Sequence, residues 1–110
     1  MAIVPTALQP GLTLTTSAVP LYLAPANTRA VVKRAVFANS TSGPVAFGVM
    51  VQRAGVAPAG ILAIVPTRLI AANATDTAPE LANFVFQPGD QMLATAAAPG
   101  VNAFLSGFVL

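Results

Sequence analysis

Residues 44–53, PVAFGVMVQR, alternate between two kinds of side chain. Val45, Phe47, Val49 and Val51 fall on one side of an extended chain. The other side consists of Ala46, Gly48, Met50 and Gln52. Successive side chains of a β-strand point to opposite faces, whereas a helix repeats its apolar residues three or four apart. The segment therefore predicts a strand with one face in a core.

The same period of two continues on both sides of this segment. Residues 29–39 alternate, and residues 101–110 alternate with apolar side chains on both faces. We therefore expect residues 101–110 to form a central strand, with one face in the core and the other against a neighbour. Weaker strand patterns occur at residues 12–16, 19–23, 61–65, 68–72, 81–86 and 91–97.

Turn-forming residues stand where these strands would reverse. They are clustered at residues 24–27, 42–44, 57–60, 87–90 and 99–100. Short strands separated by Pro, Gly and Asn turns predict an all-β fold: a single antiparallel β-sandwich of about eight short strands, with jelly-roll order as a candidate arrangement. One helical turn over residues 78–82, capped by Asp76 or Thr77, fits the same architecture.

The N-terminal segment differs in composition from the rest of the chain. It carries no charge before Arg29, and prolines recur through it while most other side chains are apolar. Proline cannot donate to a strand ladder, which leaves a loose tail or an extended arm as interpretations. Exposed apolar segments promote aggregation, so we favour an arm along a neighbouring subunit. We expect an extended Pro-rich arm over residues 1–20 and a β-sandwich domain over residues 21–110.

Charged side chains are scarce, since five cations and three anions make up 7% of the 110 residues. In ordinary soluble domains about a quarter of the residues are charged. With 55% hydrophobic residues, a lone soluble monomer would expose much apolar surface, so we expect a membrane or other protein to cover it. Prolines and turns interrupt every long uncharged stretch, and a spanning helix needs about 20 uninterrupted apolar residues. We therefore expect no membrane partner and a homo-oligomer.

Residues that support catalysis or metal binding are mostly absent. The chain has no His and no Cys, so the usual pairs of nucleophile and base cannot form. Its carboxylates are Asp76, Glu80 and Asp90, for which we expect a helix cap, a solvated acid and a residue that closes a turn. Three scattered acids do not make a transition-metal site, although calcium bound by Asp90 and a neighbouring chain stays open. We expect no enzyme activity, no catalytic, cofactor-binding or metal-binding residues, and no cofactor.

A small basic cluster consists of Arg29, Lys33 and Arg34. On a regular strand, Arg29 and Lys33 share one face and Arg34 points to the other. A patch that follows a phosphate backbone needs its cations on one surface, and few aromatic residues stand outside core-like positions for base stacking. We therefore expect cations that protect an edge strand or pair with a neighbour, and no nucleic-acid partner.

Three stretches resemble small structural proteins of tailed bacteriophages. LYLAPANTRAVVKRAVFANST at residues 21–41 is similar to their opening turn and basic strand; Leu81 followed by FQPGDQMLA at residues 86–94 resembles their Pro-Gly-Asp turn; and AFLSGFVL at residues 103–110 resembles their last strand. The resemblance implies a non-enzymatic virion subunit, assembled in the bacterial host cytoplasm, of the capsid decoration (cement) or neck and tail accessory type. Its partners would be further copies and other capsid, neck or tail proteins.

Two other classes of function stay open. A β-sandwich can carry a site for a small ligand or carbohydrate, as in a receptor-binding accessory domain. An exposed Tyr22 beside Asn27 would favour that class, although Trp, Tyr and acid clusters are scarce. An enzyme subunit whose site is completed by another chain is the second class, and the absence of a histidine or cysteine base counts against it.

Overall fold

Nine β-strands and one 3-10 turn make up the described part of the chain, residues 4–54 and 62–109 of this computed structural model. The 3-10 turn spans Pro79–Leu81. No helix in these residues has the length and apolar character needed to cross a membrane. The strands are β1 (Val4–Thr13), β2 (Val19–Leu23), β3 (Ala30–Asn39), β4 (Val45–Gln52), β5 (Leu62–Ile70), β6 (Thr75–Asp76), β7 (Val85–Phe86), β8 (Gln91–Ala96) and β9 (Val101–Val109).

The strands form two antiparallel sheets that pack face to face. The first sheet has the order β1–β9–β3–β6, with β7 also paired to β3, and the second has the order β2–β8–β4–β5. If β6 and β7 are taken as one interrupted strand, the eight strands divide into two four-stranded sheets with the strand order of a jelly roll. The predicted all-β antiparallel sandwich is confirmed, with jelly-roll strand order.

The core lies between the two sheets. The four β4 residues predicted to face it, Val45, Phe47, Val49 and Val51, are all buried. Phe47 stacks on Phe37 of β3, in the other sheet, with 4.7 Å between the ring centroids. Burial of a large apolar side chain contributes roughly 1.5–3 kcal/mol, so this contact helps to hold the two sheets together.

β9 is a central strand, as its two apolar faces predicted. It lies between β1 and β3. Its inward side chains Val101, Ala103 and Leu105 are buried in the core. Phe104 points the other way and is 41% exposed. β9 therefore contributes to the core through one face and presents an aromatic ring to the outside through the other.

The segment expected to be an arm is residues 1–20, and from Val4 onward it contributes strands to the sheets of its own chain. β1 pairs antiparallel with β9, and Leu8 and Leu14 are part of the core. β2 pairs with β8, so the expected boundary at residue 20 falls inside a strand. The strand predicted at residues 12–16 is wrong in its bounds, because pairing with β9 keeps Val4–Thr13 extended and ends at Thr13.

Every outer edge of the two sheets contains proline or is very short. Pro5 and Pro10 lie in β1, Pro20 lies in β2 and Pro66 lies in β5. The remaining edge consists of β6 and β7, which have two residues each. An edge strand has a side without a ladder partner, so a missing N–H costs little there. These features also discourage pairing with a strand of another molecule.

The edge position of β5 explains why it is one strand where the sequence predicts two. Two strands were predicted, at residues 61–65 and 68–72, but one strand runs through Pro66 from Leu62 to Ile70. An edge strand accommodates the proline, because the missing N–H can face the side that has no ladder partner. Residue 61 and the turn predicted at residues 57–60 lie outside the described residues.

The segment before β7 also differs from its predicted form. The pattern predicts a strand over residues 81–86, but only Val85–Phe86 form one, paired with β3. Asn83 and Phe84 exchange backbone hydrogen bonds with Val32 outside that strand. The helical turn expected over residues 78–82 is a 3-10 turn that has Ala78 at its N-cap position and no side-chain cap. Asp76 instead accepts a hydrogen bond from the Ala78 N–H at 2.7 Å, because β6 holds its backbone in the sheet.

Candidate interaction surface

The outward side chains of β9 and β3 form an apolar surface with two cations, which we call the β9 face. Phe104 lies opposite Val36, and Phe108 lies opposite Val31. Directly opposed residues of an antiparallel pair point to the same side of the sheet. Together with Ser106, which lies opposite Arg34, the β9 face consists of Val31, Lys33, Arg34, Val36, Phe104, Ser106 and Phe108.

Two open hollows indent the β9 face. One, of about 180 Å³, is lined by Gln9, Pro10, Arg34, Val36 and Phe104, among others. The other, of about 430 Å³, is lined by residues that include Thr6, Lys33 and Phe108. Partly exposed aromatic rings beside hollows of this size can receive side chains of another protein surface.

A β-bulge places both cations on this face. Val32 lies opposite Gly107 and Arg34 lies opposite Ser106, so Lys33 is an extra residue in β3. Lys33 and Arg34 are consequently both exposed. The prediction that they point to opposite faces is wrong, because it assumed an unbroken alternation, and a bulge interrupts that alternation.

Gly107 accommodates this bulge. A Cβ atom at Gly107 would lie 1.9 Å from the carbonyl oxygen of Val31 and 3.1 Å from the Lys33 nitrogen. Only a residue without a side chain lets β3 and β9 come this close. A glycine inside an apolar strand is a recognised sign of a bulge or of close backbone approach, and it was the one signal in the sequence that could have located the bulge.

The three side-chain carboxylates of the chain all bind arginines away from the β9 face. Asp90 pairs with Arg53, and Asp76 and Glu80 both pair with Arg68. Among the described residues, Lys33 and Arg34 have no carboxylate partner. Within the described residues, the positive charge of the β9 face is therefore not balanced by a carboxylate.

Arg29, the third residue of the basic cluster, makes its contact outside the β9 face. Arg29 precedes β3, and its Nε donates a hydrogen bond to Oε1 of Gln87 at 3.0 Å. The cluster of three cations proposed from the sequence therefore reduces to a pair on the β9 face.

Asp90 fastens the turn before β8, as predicted. Its N–H donates to the Gln87 carbonyl at 3.0 Å, and its carboxylate accepts from the N–H groups of Gln87 and Ala54, both at 2.9 Å. Arg53 Nη1 donates to the same carboxylate. Burial raises the pKa of Asp90, but these hydrogen bonds outweigh it and the pKa lies below its ordinary value. The carboxylate therefore closes the turn through Gln87 and joins it to the end of β4 through Arg53 and Ala54.

Asp76 and Glu80 come together through Arg68, and we call these three residues the Arg68 triad. Arg68 Nε is 2.7 Å from Oδ2 of Asp76, and its Nη1 is 2.5 Å from Oε2 of Glu80. Hydrogen bonds from Arg68 lower the pKa of Glu80, and those to Glu80 and Asp76 raise the pKa of Arg68. The expected helix cap and solvated acid are thus corrected: both acids share one arginine that joins β5 to the edge of the other sheet.

No group of three or more metal-binding side chains comes together within the part of the chain that is described. Tyr22, which would have favoured a carbohydrate site if exposed, packs edge-on against Phe86 with 5.0 Å between the ring centroids. Burial raises the pKa of its hydroxyl. A hollow of about 310 Å³ on the other sheet is lined by Thr16, Thr67 and Thr95, among others, and has no exposed aromatic ring among its lining residues.

No protein-family model matches the chain, and no curated protein is significantly similar to it in sequence. Solved structures do resemble it. One belongs to the disulfide-linked pili of Bacillus endospore appendages, with a TM-score of 0.56, 18% identity, and coverage of 97% of this chain and 86% of that chain.

Two further solved structures share the architecture. The Drosophila NLP core, described for pentamer formation and histone binding, has a TM-score of 0.52, 14% identity, and coverage of 91% of this chain and 95% of that chain. A chain of the T13 IBDV viral particle has a TM-score of 0.54, 10% identity, and coverage of 98% of this chain but 30% of that chain. At these identities the likeness shows the fold, which many unrelated functions share.

Proposed function

We propose that this protein is a non-enzymatic structural subunit that assembles with copies of itself and with other proteins of a particle. The observation that carries the proposal is the outward side of β9. A central strand with an apolar core face also presents Phe104, 41% exposed, and the partly exposed Phe108 beside Val36 and Val31. Apolar surface of this kind, rimmed by polar groups, is typical of protein contacts.

The scarcity of charge supports the same function. Obligate interfaces resemble a protein core cut in half and contain few charged residues. Only 7% of this chain is charged, and every side-chain carboxylate is engaged with an arginine. A subunit whose surface is mostly covered by neighbours needs little charge to stay in solution.

The particle we propose is the virion of a tailed bacteriophage, with the subunit serving as capsid decoration (cement) protein or as a neck or tail component. The sequence stretches at residues 21–41, 86–94 and 103–110 support this assignment through their resemblance to such proteins. The jelly roll is compatible with it, since a viral particle and a pilus supply two of the similar folds. The location would then be the virion, assembled in the cytoplasm of the bacterial host.

Native molar mass tests the proposal directly. Light scattering on a sizing column, across a hundredfold dilution series, should give a discrete oligomer of this chain. A species that remains monomeric at the highest concentration would contradict self-assembly. Purified candidate particles that lack the protein should, in addition, bind it at a fixed stoichiometry, and the site that binds would separate a capsid from a neck or tail position.

A further inference from the structure

The positive charge of the β9 face sets a condition on whatever covers it. Lys33 and Arg34 lie beside Phe104 and Phe108, and no carboxylate of this chain approaches them among the described residues. An interface that desolvates a cation without a compensating acid loses free energy. The covering surface must therefore supply a carboxylate next to an apolar patch.

A second copy cannot satisfy this condition with its own β9 face. Two such faces in contact would bring together four cations, two each of Lys33 and Arg34, and no anion. Like charges opposed across an interface cost several kcal/mol. A two-fold contact through the β9 face is thus disfavoured, and a contact between two different surfaces of the subunit is favoured.

The residues that the structure describes offer one suitable second surface. Of its three side-chain carboxylates, Asp90 is buried and balanced by Arg53. The Arg68 triad has two carboxylates for one cation, so it carries a net charge of −1, and the Glu80 side chain is 39% exposed. Glu80 is flanked by the exposed, weakly polar residues Pro79 and Ala82, which can meet an aromatic ring.

Strand pairing is a poor alternative mode of contact. The outer edges contain proline in β1, β2 and β5, and the edge at the Arg68 triad is formed by the two-residue strands β6 and β7 together with β5. Such edges resist the addition of another strand. Side chains, rather than backbone ladders, must then make the contact between subunits.

We propose, on the basis of the structural role inferred above, that the β9 face of one copy binds the Arg68 triad of the next copy. Arg34 and Lys33 approach Glu80, and Phe104 packs against the surface around Pro79 and Ala82. Because the two surfaces are different parts of the subunit, a contact repeated from copy to copy in this way is head-to-tail. Such contacts build a ring if the rotation closes and a filament if it does not.

Charge reversal tests this contact. R34E and E80K should each raise the dissociation midpoint of the oligomer at least about tenfold, because each opposes like charges in the contact. The double variant R34E/E80K should restore assembly, since it exchanges the two signs. An equimolar mixture of the two single variants should also assemble, with the two chains alternating.

The matched control is R29E, which makes the same change of charge at a cation outside the β9 face and should leave the midpoint unchanged. Circular dichroism must show that each variant is folded; E80K retains the pairing of Arg68 with Asp76. If a wild-type oligomer is unaffected by R34E, or if the double variant fails to recover, the contact is wrong while the structural role stands. If E80K alone has no effect, the acid comes from another surface, which overturns the pairing. A wild-type monomer would overturn both the contact and the proposed function.

Discussion

Gly107 is a residue on which both the fold and the β9 face depend. A Cβ atom there would meet the Val31 carbonyl oxygen at 1.9 Å, so the two strands would have to separate at the bulge. The bulge in turn directs Lys33 and Arg34 to the same side. One missing side chain therefore controls strand spacing and the position of two charges.

We predict that G107A lowers the free energy of unfolding by about 1–3 kcal/mol, the range typical of an added group forced into a packed structure. G43A is the matched control, because a Cβ atom at Gly43 has nothing within 4 Å. Urea unfolding followed by circular dichroism measures both. Equal stability of G107A and G43A would show that the strands tolerate the added atom.

Asp90 provides a second prediction, because its folded-state pKa lies below its ordinary value. Such an acid contributes stability at pH values above its unfolded-state pKa, and the contribution disappears as the pH falls through the folded-state pKa. D90N should cost about 1–3 kcal/mol at pH 7, through lost hydrogen bonds to a charged acceptor. It should also flatten the loss of wild-type stability below about pH 4.

The prediction for Asp90 is checked by measuring the urea midpoint of unfolding of the wild type and D90N at pH values from 7 to 2. E80Q is the control, since Glu80 is exposed and should leave most of the acid-dependent loss in place. A D90N profile parallel to that of the wild type would mean that the carboxylate does not set the acid stability of the turn.

At the scale of elements, β1 decides whether the N-terminus is an arm or part of the sandwich. It pairs with one edge of β9. Leu8 in β1 and Leu14, which follows it, are buried in the core. Deletion of residues 1–17 should therefore abolish cooperative unfolding, whereas deletion of residues 1–3, which precede β1, should not. Thermal unfolding by circular dichroism separates the cases. A folded sandwich that only fails to assemble would instead support the arm expected from the sequence.

The sequence predicted those strands that are marked by alternation or turn residues within their own segment. β3, β4, β8 and β9 each carry a clear period of two or a flanking turn, and the inward faces of β4 and β9 followed from it. β1 and β5 were misjudged because proline has a different meaning at a sheet edge than in a sheet interior, and edge position is a property of the whole fold.

The interaction surface, too, could be predicted from the sequence only in part. The outward apolar side of β9 could be predicted from Phe104 and Phe108, because alternation places them there. The placement of Lys33 beside Arg34 could not, since it arises from the bulge opposite Gly107. The shared pairing of Asp76 and Glu80 with Arg68 could not be predicted either. It requires β5 and β6, which belong to different sheets, to lie close together.

For the whole molecule, the question is whether Phe104 stabilises the subunit or the assembly. Its ring is 41% exposed, whereas Phe47 is buried. F104S should therefore leave the fold intact and change the unfolding free energy by less than about 1 kcal/mol at a concentration where the chain is monomeric. It should raise the dissociation midpoint of the oligomer by tenfold or more, as loss of an aromatic anchor does at interfaces.

F47A is the contrasting variant, and it should cost about 3–5 kcal/mol of folding free energy because it leaves a cavity between the sheets. Light scattering and urea unfolding on the same samples assign each phenylalanine to assembly or to folding. If F104S unfolds the subunit as F47A does, the ring belongs to the core. If it changes neither fold nor assembly, the β9 face is open surface and the contact must lie elsewhere. Loss of assembly with an intact fold is the result that a subunit built to be covered by its neighbours requires.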